Sequence, residues 1–140
     1  MGVYNFKTKN KKKENNTMAN FRAKAIDATT LSNIFDGRAK ISTSELIQNF
    51  PKGITIKDFD IVSYTKTIKG QETNVRFPVF CFKEDDSICY SGGTVLMKMV
   101  DNWVADYSGD VEACRQDFIA EGGVKIRLED GGDYTRVIVL

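Results

Sequence analysis

No histidine occurs among the 140 residues. That absence removes Ser-His and Cys-His nucleophile pairs and the commonest metal ligand. Cysteine is scarce too. Cys81, Cys89 and Cys114 make an odd number with no C-x-x-C spacing, so neither a zinc site nor a disulfide framework is expected. Cys81 falls in a strand pattern and Cys114 on the apolar stripe of a helix, as small buried hydrophobes do. Long apolar runs are missing: the longest candidate, TVLMKMVDNWV, is broken by Lys98 and Asp101, which excludes a membrane-spanning helix there. The N-terminus has its basic residues after Tyr4 and Phe6 with no apolar segment following, so no secretory signal is read. A cytoplasmic protein without a membrane partner is expected. Catalysis by carboxylates alone would need clustered acids, whereas Asp85, Asp86, Glu129, Asp130 and Asp133 fall where turns are expected. The expected protein is not an enzyme and carries no cofactor and no metal.

What is present is divided by charge. Residues 1–25 hold seven basic residues against one acid, a net of +6, and the other 13 basic and 18 acidic residues leave 26–140 at −5. The segment KTKNKKKENNT has no apolar residue and cannot bury surface to offset its ordering entropy. The expected organisation is a basic flexible tail over 1–25 and one domain over 26–140. Such a tail can solubilise, touch phosphates, or dock on the acidic body of a neighbouring subunit. The alternating VYNF at residues 3–6 favours docking at a sheet edge or in an apolar groove. Tyr4, Phe6, Lys11, Lys12 and Lys13 are therefore the candidate self-association residues, and contacts of this kind propagate when they do not close.

Within the body, a short helix is read around Thr30–Phe35. Ser42 with Glu45 forms a capping box ahead of Leu46, Ile47 and Phe50, and Pro51 and Gly53 end that helix. GITIKDFDIVSYTKTIKG reads as a long strand whose apolar parity slips by one near Asp58, the mark of a β-bulge. ETNVRFPVFCFKE is the second strand, with Val75, Phe77, Val79 and Cys81 on one face and Arg76, Phe80 and Phe82 on the other. ICYSG is a short third. Leu96, Met99, Val100, Trp103 and Tyr107 recur at helical spacing. Ser108 or Asp110 can cap a second helix, which stops at Gly122-Gly123. The chain then gives a hairpin of VKIRL and YTRVIVL around EDGGD. The predicted fold is α+β: an OB-like five-stranded β-barrel with a helical insertion between strands 3 and 4, plus an N-terminal helix and the tail.

OB barrels bind oligonucleotides across strands 2 and 3, flanked by the first and last hairpin loops. Sequence-tolerant binding of a single strand combines aromatics that stack on bases with Lys and Arg that track phosphates. Both types fall in the expected places. Arg76, Phe80 and Phe82 share one strand face and Tyr90 lies on the next strand. Tyr64, Lys66 and Lys69 flank the first hairpin. Lys125 and Arg127 point away from Val124, Ile126 and Leu128, and Tyr134 and Arg136 share a parity beyond the last turn. These eleven residues form the candidate nucleic-acid site. The opposite parity for strand 2, with Phe77 exposed and Phe80 and Phe82 buried, would invert the list.

Three stretches, SELIQNFPKGITIKDFDIV, FPVFCFKEDDSICYSGG and GGVKIRLEDGGDYTRVIVL, resemble the PrgE-like OB-fold single-stranded DNA-binding proteins of Gram-positive conjugative plasmids, integrative elements and phages. The resemblance covers about residues 38–140 and implies single-stranded DNA as the partner, with duplex DNA or RNA left open, during plasmid transfer or phage replication. It transfers no contact residue. The acidic body supports a different reading, a protein-interaction or inhibitor module that mimics DNA toward a host enzyme. A carboxylate-dependent nuclease ranks last.

Overall fold

The computed structural model describes residues 31–140. The basic tail, with Tyr4, Phe6, Lys11, Lys12 and Lys13, lies outside the described residues. Where a short helix around Thr30–Phe35 is expected, the described part is a single 3₁₀ turn, Asn33–Phe35, capped by the Ser32 hydroxyl. Strand β1 (Ala39–Lys40) follows. Helix α1 (Thr43–Asn49) starts at the capping box: Ser42 Oγ accepts from Glu45 N, and Ser42 N donates to the Glu45 carboxylate. Next come β2 (Ile54–Ile68), β3 (Gln71–Phe82) and β4 (Ile88–Ser91). Helices α2 (Thr94–Ala105) and α3 (Val111–Ala120) succeed them, with Asp110 capping α3. The chain then forms β5 (Val124–Asp130) and β6 (Thr135–Val139).

The strands form one sheet in the order β1-β4-β3-β2-β5-β6. This corrects the expectation of five strands. β1 joins as a sixth, parallel to β4, through Ala39 N to Ser87 O and Ile41 N to Cys89 O. Two residues are too few to show a strand period, so nothing in the sequence marks them. All other pairings are antiparallel. The sheet curls into a half-barrel, and its concave side holds Ile54, Ile56, Phe59, Phe80, Phe82, Ile126 and Leu128. Helix α2 supplies Leu96 and Val100 to the same core, and Phe59, Trp103 and Phe118 pack edge-on or tilted with centroids 4.9–5.4 Å apart.

The β-bulge read near Asp58 is present: Ile56 faces Phe82, yet Asp58 faces Cys81 and Phe59 faces Phe80. The extra residue lets Ile54, Ile56, Phe59 and Ile61 all join the interior cluster despite their changed parity. The return from α3 into β5 is equally constrained. Gly123 has φ +77° and lies so close to β2 that an added Cβ would stand 1.8 Å from the Ile56 carbonyl oxygen. Gly132, in the last turn, has φ +89° but open space around it. Gly132→Ala should therefore cost only the left-handed conformational penalty, about 1–2 kcal/mol. Gly123→Ala should cost clearly more in urea denaturation, because backbone must move as well. Equal losses would show that the approach to Ile56 is not a constraint.

Candidate nucleic-acid interface

The longest feature of the sheet is also its least supported. β5 pairs with β2 only over Ile54–Ile56, and β4 pairs with β3 only over Val79–Cys81. Beyond the Val62–Phe77 pair, β2 and β3 bond to each other alone among the described strands. Ser63–Ile68 and Gln71–Arg76 thus form a two-stranded arm about 20 Å long at roughly 3.3 Å per residue. Its tip is a two-residue turn, Lys69-Gly70, with φ of 53° and 78°, the positive pair that matches strand twist in a tight hairpin. Thr65, Thr67 and Thr73 suit an exposed ribbon.

Cross-strand register sorts the arm into two faces. One continues the barrel interior through Ser63/Arg76, Thr65/Asn74 and Thr67/Glu72. The other continues the outer surface through Val62/Phe77, Tyr64/Val75, Lys66/Thr73 and Ile68/Gln71. On this outer face Tyr64 and Phe77 are both half-buried and meet edge-to-face, with centroids 6.4 Å apart and planes at 84°. Lys66 and Lys69 are exposed beyond them. Further in, the outer face is closed by the chain itself: Val62, Val79, Cys81 and Cys89 pack under Ile34 and Phe35. Ser32 Oγ fixes that cover to the sheet by donating to Asp60 at 2.8 Å, and the Lys40 ammonium stands 5.2 Å from the Phe35 ring centroid.

The structure divides the eleven expected residues. Phe80 and Phe82 are wholly buried and Tyr90 is 5% exposed, so none of the three offers a face to a base. The expectation that their face is solvated is overturned. Arg76 does share their parity, but it stands where that face leaves the barrel and pairs with Asp101 of α2 at 2.9 Å. The Tyr90 hydroxyl is hydrogen-bonded to Thr43 Oγ1 at 2.7 Å. Tyr64, Lys66 and Lys69 are together on the arm. Lys125 is exposed on β5. Arg127 and Arg136 both turn to Glu129, at 3.2 and 3.5 Å, which lowers their net attraction for phosphate. Tyr134 is 60% exposed on the far side of a cleft of about 420 Å³, which separates Tyr90–Thr94 from Tyr134–Val137. Phe77, outside the eleven expected residues, lies with Tyr64, in keeping with the opposite parity for this strand. Its signal was in the sequence: FPVFCF is a continuous apolar run, the pattern of a strand covered on both faces.

Among the described residues no group of His, Cys, Asp and Glu could hold a metal ion, and no helix is long and apolar enough to cross a membrane. Burial pushes the thiols of Cys81, Cys89 and Cys114 up, away from the reactive thiolate. The Tyr107 hydroxyl donates to Asp117 at 2.7 Å, which drives its pKa up to about 12. The arrangement can hold a flat π-surface and anionic groups along the arm. No family model, curated protein or solved structure matches the chain.

Burial separates the two sets of aromatics by stability. Phe80→Ala or Phe82→Ala should lower the urea-unfolding free energy by about 3–5 kcal/mol. Tyr64→Ala, half-exposed on a two-stranded ribbon, should cost no more than about 1 kcal/mol. Similar losses at both sites would contradict the division into core and surface.

Proposed function

We propose that the chain is a non-catalytic, largely sequence-independent single-stranded DNA-binding protein that stacks bases on the outer face of the β2–β3 arm. The observation that carries this reading is the Tyr64–Phe77 pair. Two half-buried aromatics lie edge-on at the rim of the Ile34–Phe35 cluster, with Lys66 and Lys69 exposed beyond them. Base–aromatic stacking tolerates any sequence because every base has a π-face, and lysines supply the phosphate attraction.

The strand pairings support an OB-like reading. β2, β3 and β4 form a meander, β5 returns beside β2, and β6 pairs with β5. Read as an OB barrel, the arm is the first hairpin and the Asp130–Tyr134 turn the last, the two loops that flank ligands in that fold. The edge of β4 carries β1, and the cleft between β4 and β6 stays open. The central strand 2–3 surface lies under Ile34 and Phe35, which shifts binding outward onto the arm. The resemblance to proteins of conjugative plasmids and phages supplies the setting, a cytoplasmic mobile-element factor. The tail, with Tyr4, Phe6, Lys11, Lys12 and Lys13, supplies contacts between copies along the strand. The net charge of −5 over residues 26–140 favours the second reading, an interaction module that meets a host protein rather than DNA.

Fluorescence anisotropy of a labelled oligo-dT at two salt concentrations tests the first reading. Saturable binding that weakens with salt is expected. Tyr64→Ala/Phe77→Ala should weaken it by about tenfold or more, since each stacked base contributes about 1–3 kcal/mol. Circular dichroism would verify that the variant is folded. Absence of binding by the folded wild-type chain at low salt would leave the interaction module.

A further inference from the structure

The outer parity of β3 that carries Phe77 passes through Val79 and Cys81 and emerges at Lys83. Lys83 lies about 20 Å from Phe77 at roughly 3.3 Å per residue. Here a second cleft opens, about 340 Å³, lined by Arg38, Lys57, Asp58, Cys81, Lys83 and Ile119. Of its two nearby carboxylates, Asp58 is already committed. Arg115 of α3 reaches it with two donors, Nε to Oδ1 at 3.1 Å and Nη2 to Oδ2 at 2.9 Å. Asp86 sits on the exposed rim, and its single Oδ1 receives both Arg38, at 2.7 Å, and Lys57. Lys83 has no ion pair among the described residues. Two cations therefore converge on one carboxylate oxygen, and a third, Lys83, lines the same cleft.

The Arg38 guanidinium is also held in place. Nη1 donates to the Ile34 carbonyl and Nε to the Asp86 carbonyl, both at 3.0 Å. A fixed planar fork beside two ammonium groups is suited to the oxygens of a phosphate. Lys57 and Arg38 hold the Asp86 carboxyl down at about 2, and its oxygen rests where a phosphate oxygen could rest.

We infer that the Arg38–Lys57–Lys83 cleft is a phosphate site, in which one phosphodiester of a bound strand replaces the Asp86 carboxylate on Arg38 and Lys57 and gains Lys83. The inference rests on the single-stranded DNA reading for the source of the phosphate. It adds a second anchor six residues along the chain from Phe77, on the far side of the Ile34–Phe35 cover.

The full-length chain tests this with a salt series of oligo-dT titrations. Lys57→Gln/Lys83→Gln should weaken binding several-fold and flatten the slope of log K against log salt by about 0.7, the value for one lost single-strand phosphate contact. Lys98→Gln, an exposed lysine on α2, controls for general charge. Asp86→Asn should tighten binding more than Asp106→Asn, because only Asp86 competes for the cleft. Wild-type binding with a double variant that matches Lys98→Gln would overturn the inference and leave the DNA reading standing.

A parallel arm compares thermal unfolding in inorganic phosphate and in chloride at equal ionic strength. If oligo-dT does not bind but phosphate raises the melting temperature of wild type and not of the double variant, the cleft stands as a phosphate site and the DNA reading falls. If neither ligand acts, both fall.

Discussion

One extra residue in β2, at Lys57–Asp58, governs how the rest of this sheet is used. Without the bulge, the residues in step with Ile54 and Ile56 would be Asp58, Asp60 and Val62, and two carboxylates would enter the core while Phe59 left it. With it, Phe59 meets Phe80, Trp103 and Phe118 inside, and Asp58 turns out to bind Arg115. That pair is largely buried, with side chains 17% and 19% exposed. Loss of either partner would leave a poorly hydrated charge, which costs far more than the pair itself contributes. The same contact ties α3 to the strand, and the Gly123 return brings β5 against Ile56. Lys57, at the bulge, shares the Asp86 carboxylate oxygen with Arg38.

Burial on both faces of β3 follows from this geometry. Phe80 and Phe82 are taken by the barrel, Val79 and Cys81 by the Ile34–Phe35 turn. Where β3 runs past the barrel, its outer parity offers Phe77 and Val75 beside Tyr64 and Lys66 of β2, and its inner parity offers Arg76, Asn74 and Glu72. The proposed binding surface lies on the arm because the middle of the sheet is already occupied.

Much of this was legible from local chemistry. The Ser42–Glu45 box, the Asp110 cap, the Gly122-Gly123 stop and the parity slip at Asp58 each have a mechanism confined to a few neighbouring residues, and each lies where it was read. The errors were long-range. Arg76 shares a face with Phe80 and Phe82, but an arginine at the mouth of a barrel can reach Asp101 while its parity partners are sealed inside. The cover by Ile34 and Phe35, and the two-residue β1, depend on segments dozens of residues away and leave no period in the sequence. The two strands of the arm and their hairpin are legible in the sequence, but the arm's isolation is not, because it depends on how few residues β4 and β5 pair with.

The most direct test of the account is to titrate oligo-dT into protein carrying isotope-labelled aromatic rings and follow each ring by nuclear magnetic resonance. The account predicts saturable shifts at Tyr64 and Phe77, with Phe80 and Phe82 unmoved. Shifts centred on Tyr134 and the β4–β6 cleft, with Tyr64 and Phe77 silent, would contradict it.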